Sequence, residues 1–253
     1  MSTSVQTAPA PASPRGGAII VIRSVLFTAA FYLCSAAAAI AMLPLMLAPR
    51  RWMLVAFRGW AHSVIWALDV FCGVTVEIRG REHLAGAVLL APKHQCLFDT
   101  IVPFALLPDC CQVMKKELIA IPFYGWYSLK ARMVVVDREG GSKTMRKLLA
   151  DSRERLAEGR QLLIFPEGHR QAPGAAPDYK PGVAALYGLG VPCVPVATNS
   201  GVHWPAHGFL RYPGTIVVEY LEPIQPGLKR PAFMRELEHR IETASNALLA
   251  AGI

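Results

Sequence analysis

Charged residues are scarce in this chain of 253 residues, at 17% of the composition, whereas hydrophobic residues make up 53%. So apolar a composition is unusual for a soluble enzyme of this size, and it predicts contact with lipid. The sequence also lacks zinc-finger spacing, an RNP-like aromatic run and a long basic helix, which are typical of nucleic-acid-binding proteins. The formal net charge of +8 is therefore expected to attract anionic lipid headgroups or anionic small substrates. Nucleic acid is not expected as a partner.

One cysteine motif and one serine motif are also missing. There is no C-x-x-C pair among the six scattered cysteines, which predicts reduced, buried residues in a protein facing the cytoplasm. There is no G-x-S-x-G, which disfavours serine-hydrolase chemistry. Cys96 is weighed as a nucleophile, but its apolar neighbours Leu97 and Phe98 favour a small core residue.

The N-terminal quarter divides into a polar tail and a long apolar run. Residues 1–17 are rich in Pro, Ala and Ser and predict a disordered tail. Residues 24–48 form a run of 25 residues without a charge, where about 20 suffice to cross the hydrocarbon core of a bilayer. A signal peptide is disfavoured because its apolar region is only about 7 to 15 residues long, and because Arg50 and Arg51 occupy the place of a cleavage site.

A second helix is predicted over residues 51–72, with its strongest polar residues on one face: Arg51, Arg58, His62 and Asp69. It either lies in the headgroup plane or pairs with the first helix as a shallow hairpin, and full spanning stays open. Arginines flank both ends of the apolar run, so the positive-inside rule gives no orientation. A two-helix membrane element over residues 18–72, with both ends on the cytoplasmic face of the inner membrane, satisfies these observations.

From Gly73 onward short apolar runs alternate with helical patterns, which predicts an α/β domain over residues 73–253. Several runs are continuously apolar, as in strands of a mostly parallel sheet with helices on both faces. The expected strands are 74–78, 87–92, 111–114, 133–137, 161–165, 193–197 and 215–221. The clearest helices are 142–159, with Met145, Leu148, Leu149 and Leu156 inward, and 231–251, with Phe233, Leu237, Ile241 and Leu248 inward.

The segment KHQCLFDT (93–100) places His94 and Asp99 five positions apart. On a continuous helix they would point about 140° apart, so the helix is predicted to begin between them. Asp99 then lies near a helix N-terminus, where free N–H groups favour a carboxylate. There it can accept a hydrogen bond from one imidazole nitrogen and leave the other as a base. For this pair alone, an N-terminal aspartate beside an incidental histidine is an equally good interpretation.

Further charged side chains follow other predicted strands. If the strands are parallel, these groups meet at one rim of the sheet. A base beside several cations suits a substrate with a hydroxyl to activate and a phosphate to hold. The residues concerned are Lys115 and Lys116 after one strand, Arg138 after the next, and Glu167, Gly168 and Arg170 in FPEGHR.

Four segments in this order, HQCLFD, KKELIAIPFYGW, FPEGHR and VPVATNSG, resemble the sequence blocks of the glycerolipid acyltransferases, most closely the bacterial 1-acyl-sn-glycerol-3-phosphate acyltransferase family. The resemblance covers about residues 50–223. Each block is weakly specific alone, and the four together, at these separations, are strongly specific. The family also has an N-terminal two-helix element at the membrane surface.

The resemblance implies that His94 is the general base and Asp99 its partner. It implies that Lys115 and Arg170, with Arg138 as a third, bind the substrate phosphate, and that Glu167 and Gly168 contact substrate. The implied reaction transfers a fatty acyl group from acyl-CoA or acyl carrier protein, as co-substrate, to the sn-2 hydroxyl of lysophosphatidic acid, giving phosphatidic acid. No metal and no cofactor are implied. The family usually has Thr or Ser where this chain has His169, which leaves headgroup specificity open.

Three alternatives remain. The acceptor could be another lysolipid, in a pocket shaped by Asn199, His203, Trp204 and His207. A metal-dependent hydrolase would use His94, Asp99, Glu167 and His169, but these form no compact ligand motif. A catalytically inactive lipid carrier is disfavoured by the intact pair of His94 and Asp99.

Overall fold

A computed structural model of the chain describes residues 17–137 and 141–252. Of the predicted tail, residues 1–17, all but Gly17 therefore lie outside the described residues. The α-helices in the described part are α1 (Ala18–Ala41), α2 (Arg50–Cys72), α3 (Phe98–Leu106), α4 (Tyr124–Lys130), α5 (Gly141–Ala157), α6 (Gly182–Tyr187), α7 (Ser200–His203) and α8 (Arg230–Ala250). Short 3-10 helices cover Leu43–Met46, Arg81–Leu84 and Lys116–Ala120.

A seven-stranded sheet forms the centre of the described structure, in the order β1-β7-β6-β2-β5-β3-β4. All seven predicted strands are present: β1 (Val74–Arg79), β2 (Leu89–Pro92), β3 (Cys110–Lys115), β4 (Val134–Val136), β5 (Gln161–Leu163), β6 (Cys193–Thr198) and β7 (Gly214–Tyr220). The five strands from β6 to β4 are mutually parallel. Strand β7 runs antiparallel to β6 and parallel to β1. The predicted mostly parallel sheet is confirmed.

Helices cover both faces of this sheet. Successive strand residues point to opposite faces, so Leu90 packs with α2, α3 and Trp204, whereas Leu89 packs with α5, α6 and α8. The predicted inward residues of the two long helices are buried or packed against the core. This three-layer arrangement explains the continuously apolar β2, whose four residues are all buried.

The N-terminal helices form an antiparallel hairpin. Trp60 Nε1 donates to Ser35 Oγ at 3.1 Å, and the Cys72 thiol lies 3.8 Å from the Arg23 carbonyl oxygen. The predicted apolar run is not a single helix: α1 ends at Ala41, and Pro44 lies in the following 3-10 helix, because proline cannot continue an α-helix. Among the described residues, α1 is long and apolar enough to cross a membrane by length and composition, and only 11% of its most apolar stretch is buried. This weakly suggests membrane association.

The hairpin is also docked onto the α/β domain. Arg50 makes a bidentate contact with Asp109, at 2.8 and 2.6 Å. Arg58, from the predicted polar stripe, donates to the Leu107 carbonyl at the end of α3, where helix carbonyls lack helical partners. Within the core, Phe27 of α1 meets Trp204 edge to face, with ring centroids 5.3 Å apart. Part of the polar face of α2 therefore binds the domain.

Candidate active site

His94 and Asp99 lie in the connection between β2 and α3. Strand β2 ends at Pro92 and α3 begins at Phe98, so a helix begins between the two residues, as predicted. Asp99 occupies the first turn of α3. Because His94 lies before the helix and not within it, the two side chains can meet. His94 Nδ1 lies 3.3 Å from Asp99 Oδ2.

Besides the Cys96 thiol, 3.8 Å from Oδ1, three N–H and O–H donors hold the Asp99 carboxylate. The backbone N–H groups of Gln95 and Cys96 donate to Oδ2 at 2.6 and 2.8 Å, and the Ser200 hydroxyl donates to Oδ1 at 2.5 Å. A carboxylate in this position is only an acceptor, so Nδ1 of His94 carries the proton in their contact. The neutral ring then has Nε2 as its basic nitrogen.

The backbone of His94 is fixed by residues that follow β5. Its N–H donates to Glu167 Oε2 at 3.2 Å, and its carbonyl accepts from the Gln171 N–H at 2.8 Å. The ring of Phe165 stacks on the imidazole, with centroids 3.9 Å apart and planes 22° apart. The FPEGHR segment therefore contacts both the backbone N–H and the ring of His94.

A buried ionic cluster lies behind the histidine. Lys93 Nζ contacts Glu167 Oε1 at 2.8 Å and Glu242 Oε1 of α8 at 2.7 Å. Tyr179 donates its hydroxyl to the same Glu242 oxygen at 2.9 Å. Burial, and next the charge of Glu242, raise the pKa of Tyr179, so its hydroxyl stays protonated and able to donate.

Glu167 has no exposed surface, and its two oxygens accept from Lys93 and from the His94 N–H. Its predicted contact with substrate stays a prediction, and the contacts observed are with the protein. Gly168 adopts a φ of +72° and donates its N–H to the Phe165 carbonyl at 3.0 Å. That left-handed conformation, which favours glycine, turns the chain back towards the imidazole.

Two of the three predicted phosphate-binding residues, Lys115 and Arg170, follow parallel strands at the same rim as His94. Lys115 is exposed at the end of β3, and Arg170 is exposed in the segment after β5. Strand β5 separates β2 from β3, so the ends of β2 and β3 lie two strand spacings apart, about 10 Å. Arg138 lies outside the described residues.

The fourth block, VPVATNSG, supports the site from β6. Besides the Ser200 hydroxyl, the Gly201 N–H donates to the Gln95 side-chain oxygen at 2.9 Å. A Cβ on Gly201 would lie 2.9 Å from both the Gln95 Cβ and the Pro173 Cγ, so the chain packs there too closely for a side chain. Sequence reasoning assigned Gln95 and Ser200 no role, although both stand inside the quoted motifs.

Several residues weighed from the sequence are buried and engaged elsewhere. Cys96 is fully buried, and burial followed by the charge of Asp99 raises the pKa of its thiol well above the usual range, which favours the core residue over the nucleophile. The Asn199 amide bridges β6 to β7 through Thr215 and Val217. Trp204 is buried under the guanidinium of Arg211. Asn199 and Trp204 are thus interior residues with contacts inside the protein, and their role in an acceptor pocket stays a prediction.

The proposed metal ligands are arranged differently from a metal site. In residues 17–137 and 141–252 no group of three or more His, Cys, Asp or Glu side chains is placed to hold a metal ion. The oxygens of Asp99 and Glu167 accept from protein donors, and His169 is exposed, with Nε2 2.9 Å from the Gln171 amide. The occupied oxygens weigh against the hydrolase alternative.

Comparisons with known proteins identify the family of this chain. The acyltransferase family model matches residues 75–199, which span His94 to Asn199. The 1-acyl-sn-glycerol-3-phosphate acyltransferase of Pseudomonas aeruginosa is 32% identical over 187 residues, covering 73% of this chain and 73% of the relative. The chain belongs to the acyltransferase family. The Helicobacter pylori enzyme of the same name is 33% identical over 175 residues, covering 67% of this acyltransferase and 73% of the relative.

The fold of this acyltransferase also matches a solved structure. The crystal structure of the 1-acyl-sn-glycerophosphate acyltransferase PlsC from Thermotoga maritima superposes with a TM-score of 0.74 at 22% identity. The match covers 91% of this chain and 98% of that one, so it includes the hairpin as well as the sheet. The resemblance stated from the four blocks is confirmed at the level of family and fold.

Proposed function

We propose that this acyltransferase moves a fatty acyl group from an acyl thioester to the sn-2 hydroxyl of lysophosphatidic acid, giving phosphatidic acid in phospholipid synthesis. The observation that carries the proposal is the imidazole of His94, which contacts Asp99 at Nδ1 while Glu167 and Gln171 bind the backbone N–H and carbonyl of the same residue. The names of the similar bacterial enzymes support the acceptor.

The proposed chemistry is direct transfer between the two substrates. Nε2 of His94 removes the proton of the acceptor hydroxyl while that oxygen attacks the thioester carbonyl carbon. The carbon–sulfur bond then breaks, and the proton passes from the imidazolium to the departing thiolate. The buried Cys96 thiol and Ser200 hydroxyl both face Asp99, which supports a mechanism without a covalent acyl-enzyme.

The substrates are anionic, and the rim of the sheet carries cations. Lys115, Arg138 and Arg170 bind the acceptor phosphate in this proposal, and a guanidinium can do so with two hydrogen bonds. The donor is acyl-CoA or acyl carrier protein, and both are acidic partners for a chain with a net charge of +8. The enzyme works on the cytoplasmic face of the inner membrane, where α1 contacts the membrane lipid that contains the acceptor.

Acyl transfer by the purified protein tests the proposal. With lysophosphatidic acid and labelled acyl-CoA or acylated carrier protein, we expect His94→Ala to lower kcat by about 10² to 10⁴-fold, the usual contribution of general base catalysis. Arg170→Ala should instead raise KM for the acceptor. The matched control is His239→Ala, because His239 is an exposed histidine of α8. Native rates in both site variants would refute the assignment of the site.

The same assay separates the alternatives. A panel of lysolipids of different headgroups identifies the acceptor, and a higher kcat/KM for another headgroup would replace lysophosphatidic acid. A chelator in the assay tests for a metal, and loss of the rate on chelation would contradict the proposed mechanism.

A further inference from the structure

A group of large apolar side chains is exposed on the α/β domain, outside the hairpin. Ile121, Trp126 and Leu129 are 46%, 47% and 50% exposed, and Pro122 beside them is exposed too. Trp126 and Leu129 stand three positions apart in α4 and so share a face. We call these four residues, Ile121, Pro122, Trp126 and Leu129, the α4 patch.

The backbone before α4 is strained in a way that produces this patch. Phe123 has φ +62° and ψ −58°, and the Tyr124 N–H donates to the Pro122 carbonyl at 2.7 Å. This is a γ-turn of the rare type with positive φ, an unfavourable conformation for a bulky residue. The turn places Phe123 against the methionine-rich core cluster and leaves Ile121 and Pro122 outside. Strain of this kind is kept where the surrounding structure enforces it, often at functional surfaces.

The α4 patch adjoins the turn of the hairpin. Tyr127, on the buried side of α4, donates its hydroxyl to the Ala39 carbonyl in the last turn of α1. The core cluster beneath α4 includes Met42 and Met53, from either side of the hairpin turn. At that turn Leu43 and Leu47 are exposed. The hairpin turn and α4 therefore pack on the same core cluster, and both elements expose apolar side chains.

We propose that the α4 patch is a second membrane contact, which inserts into the headgroup region of an anionic lipid surface beside the hairpin turn. This inference rests on the proposed function, in which the acceptor is a membrane lipid. Three observations favour lipid over a protein partner: the packing of α4 against the turn of the apolar hairpin, an exposed tryptophan of the kind enriched at membrane interfaces, and the flanking cations Lys115 and Lys130.

The contact has a consequence for the acceptor. Only six positions separate Lys115, the predicted phosphate anchor, from Ile121 at the start of the patch. Insertion of the patch would hold Lys115 at the depth of the lipid phosphates. The acceptor would then reach the site by a short displacement within the headgroup region.

Site-directed labelling tests the depth of the patch. Cys34 is the exposed cysteine of the six, so Cys34→Ser with Leu129→Cys allows one polarity-sensitive fluorophore on the full chain. On vesicles of phosphatidylcholine and phosphatidylglycerol, we expect a blue shift and loss of fluorescence with headgroup-region nitroxide lipids. The matched control is Leu228→Cys in the same background, because Leu228 is similarly exposed in the loop before α8. Equal quenching of the two labels would overturn the proposal.

Activity provides the second arm. Trp126→Ser with Leu129→Ser should lower the rate on vesicle-borne acceptor by about tenfold, from partial loss of the burial of two large side chains, and leave the rate in detergent micelles unchanged. An equal loss in micelles would assign the patch to the active site and overturn the proposal, as would concentration-dependent self-association that buries the label without vesicles. Failure of the native enzyme to acylate lysophosphatidic acid would refute the proposed function, while the quenching result would still decide the membrane contact.

Discussion

The hydroxyl of Ser200 donates a hydrogen bond to Asp99 from a segment more than one hundred positions away. Among the described residues, it is the side-chain hydroxyl that binds this carboxylate. Gln95 and Cys96, the other close donors, use backbone N–H groups that no substitution removes except proline. Ser200 is therefore the residue through which the orientation of Asp99, and so of the imidazole, can be tested.

We expect Ser200→Ala to lower kcat about tenfold and to leave KM for the acceptor unchanged, because a hydrogen bond to a charged group contributes about 1.5 to 3 kcal/mol. Steady-state kinetics with lysophosphatidic acid measures both. Ser245→Ala is the matched control, since Ser245 is buried and its hydroxyl has no hydrogen-bond partner within residues 17–137 and 141–252. If the two substitutions affect kcat equally, Ser200 does not position the pair.

Lys93 presents a second test at this scale, because it neutralises two carboxylates in the interior. Lys93→Met should lower the free energy of unfolding by about 3 to 5 kcal/mol, the usual penalty for leaving a buried charge unpaired. Adding Glu167→Gln should restore part of it. Thermal unfolding in detergent of the two single variants and the double variant gives the coupling.

Lys180→Met is the control for this cycle, because its partner Asp178 is exposed and an exposed ion pair contributes little. Additive effects of Lys93→Met and Glu167→Gln would show that the two side chains do not stabilise one another.

Among the elements, α2 is joined to the loop between α3 and β3 through Asp109. This carboxylate binds Arg50 of α2 on one side and the fully buried Arg160 on the other. We expect Asp109→Asn to lower the free energy of unfolding by about 3 kcal/mol, because Arg160 then loses its anionic partner in the interior. This corresponds to a fall in Tm of about 6 to 12 °C for a chain of this size. Asp151→Asn removes an exposed pair with Lys147 and should change Tm little.

The pH dependence of the Asp109 contribution has a definite sign. Burial alone would raise the pKa of Asp109, but the hydrogen bond from Arg50 and the charge of Arg160 lower it below the ordinary value of 3.8. A lowered folded-state pKa gives stability that is present above the unfolded value and is lost as the pH falls through the folded value. The difference in Tm between the native protein and Asp109→Asn should therefore shrink below about pH 4. A difference that stays constant as the pH falls would contradict this account.

On the scale of the whole molecule, we expect the protein to bind membranes through burial of apolar side chains in the lipid. The exposed surface of α1 includes many large aliphatic and aromatic side chains, whose transfer into lipid is not screened by salt. Membranes from cells that express the full chain should retain it through a 1 M salt wash and release it in detergent. A peripheral protein of similar net charge is the control. Release by salt alone would show that the net charge, and not α1, holds the protein.

The sequence predicted the α/β domain well because its strands are short apolar runs separated by helical patterns. It did not predict α4, because that helix has only seven residues and follows Pro122 and a strained turn at Phe123, so no helical period develops. Nor did it show that β7 runs antiparallel to β6, since an alternating pattern is the same in both directions. The proximity of Lys93 to Glu242, 149 positions apart, has no local signal at all.

The sequence by itself determined the family, the seven strands, the apolar hairpin and the identity of the predicted base and its carboxylate. These depend on local patterns: periodicity, spacing and four short blocks. Only the tertiary structure decided that Ser200 donates to Asp99, that Glu167 faces Lys93 and the His94 backbone, and that α4 packs against the hairpin turn while exposing apolar side chains. The physical reason is that each of these depends on the packing of segments far apart in the chain, and the directions and spacing of the strands set that packing.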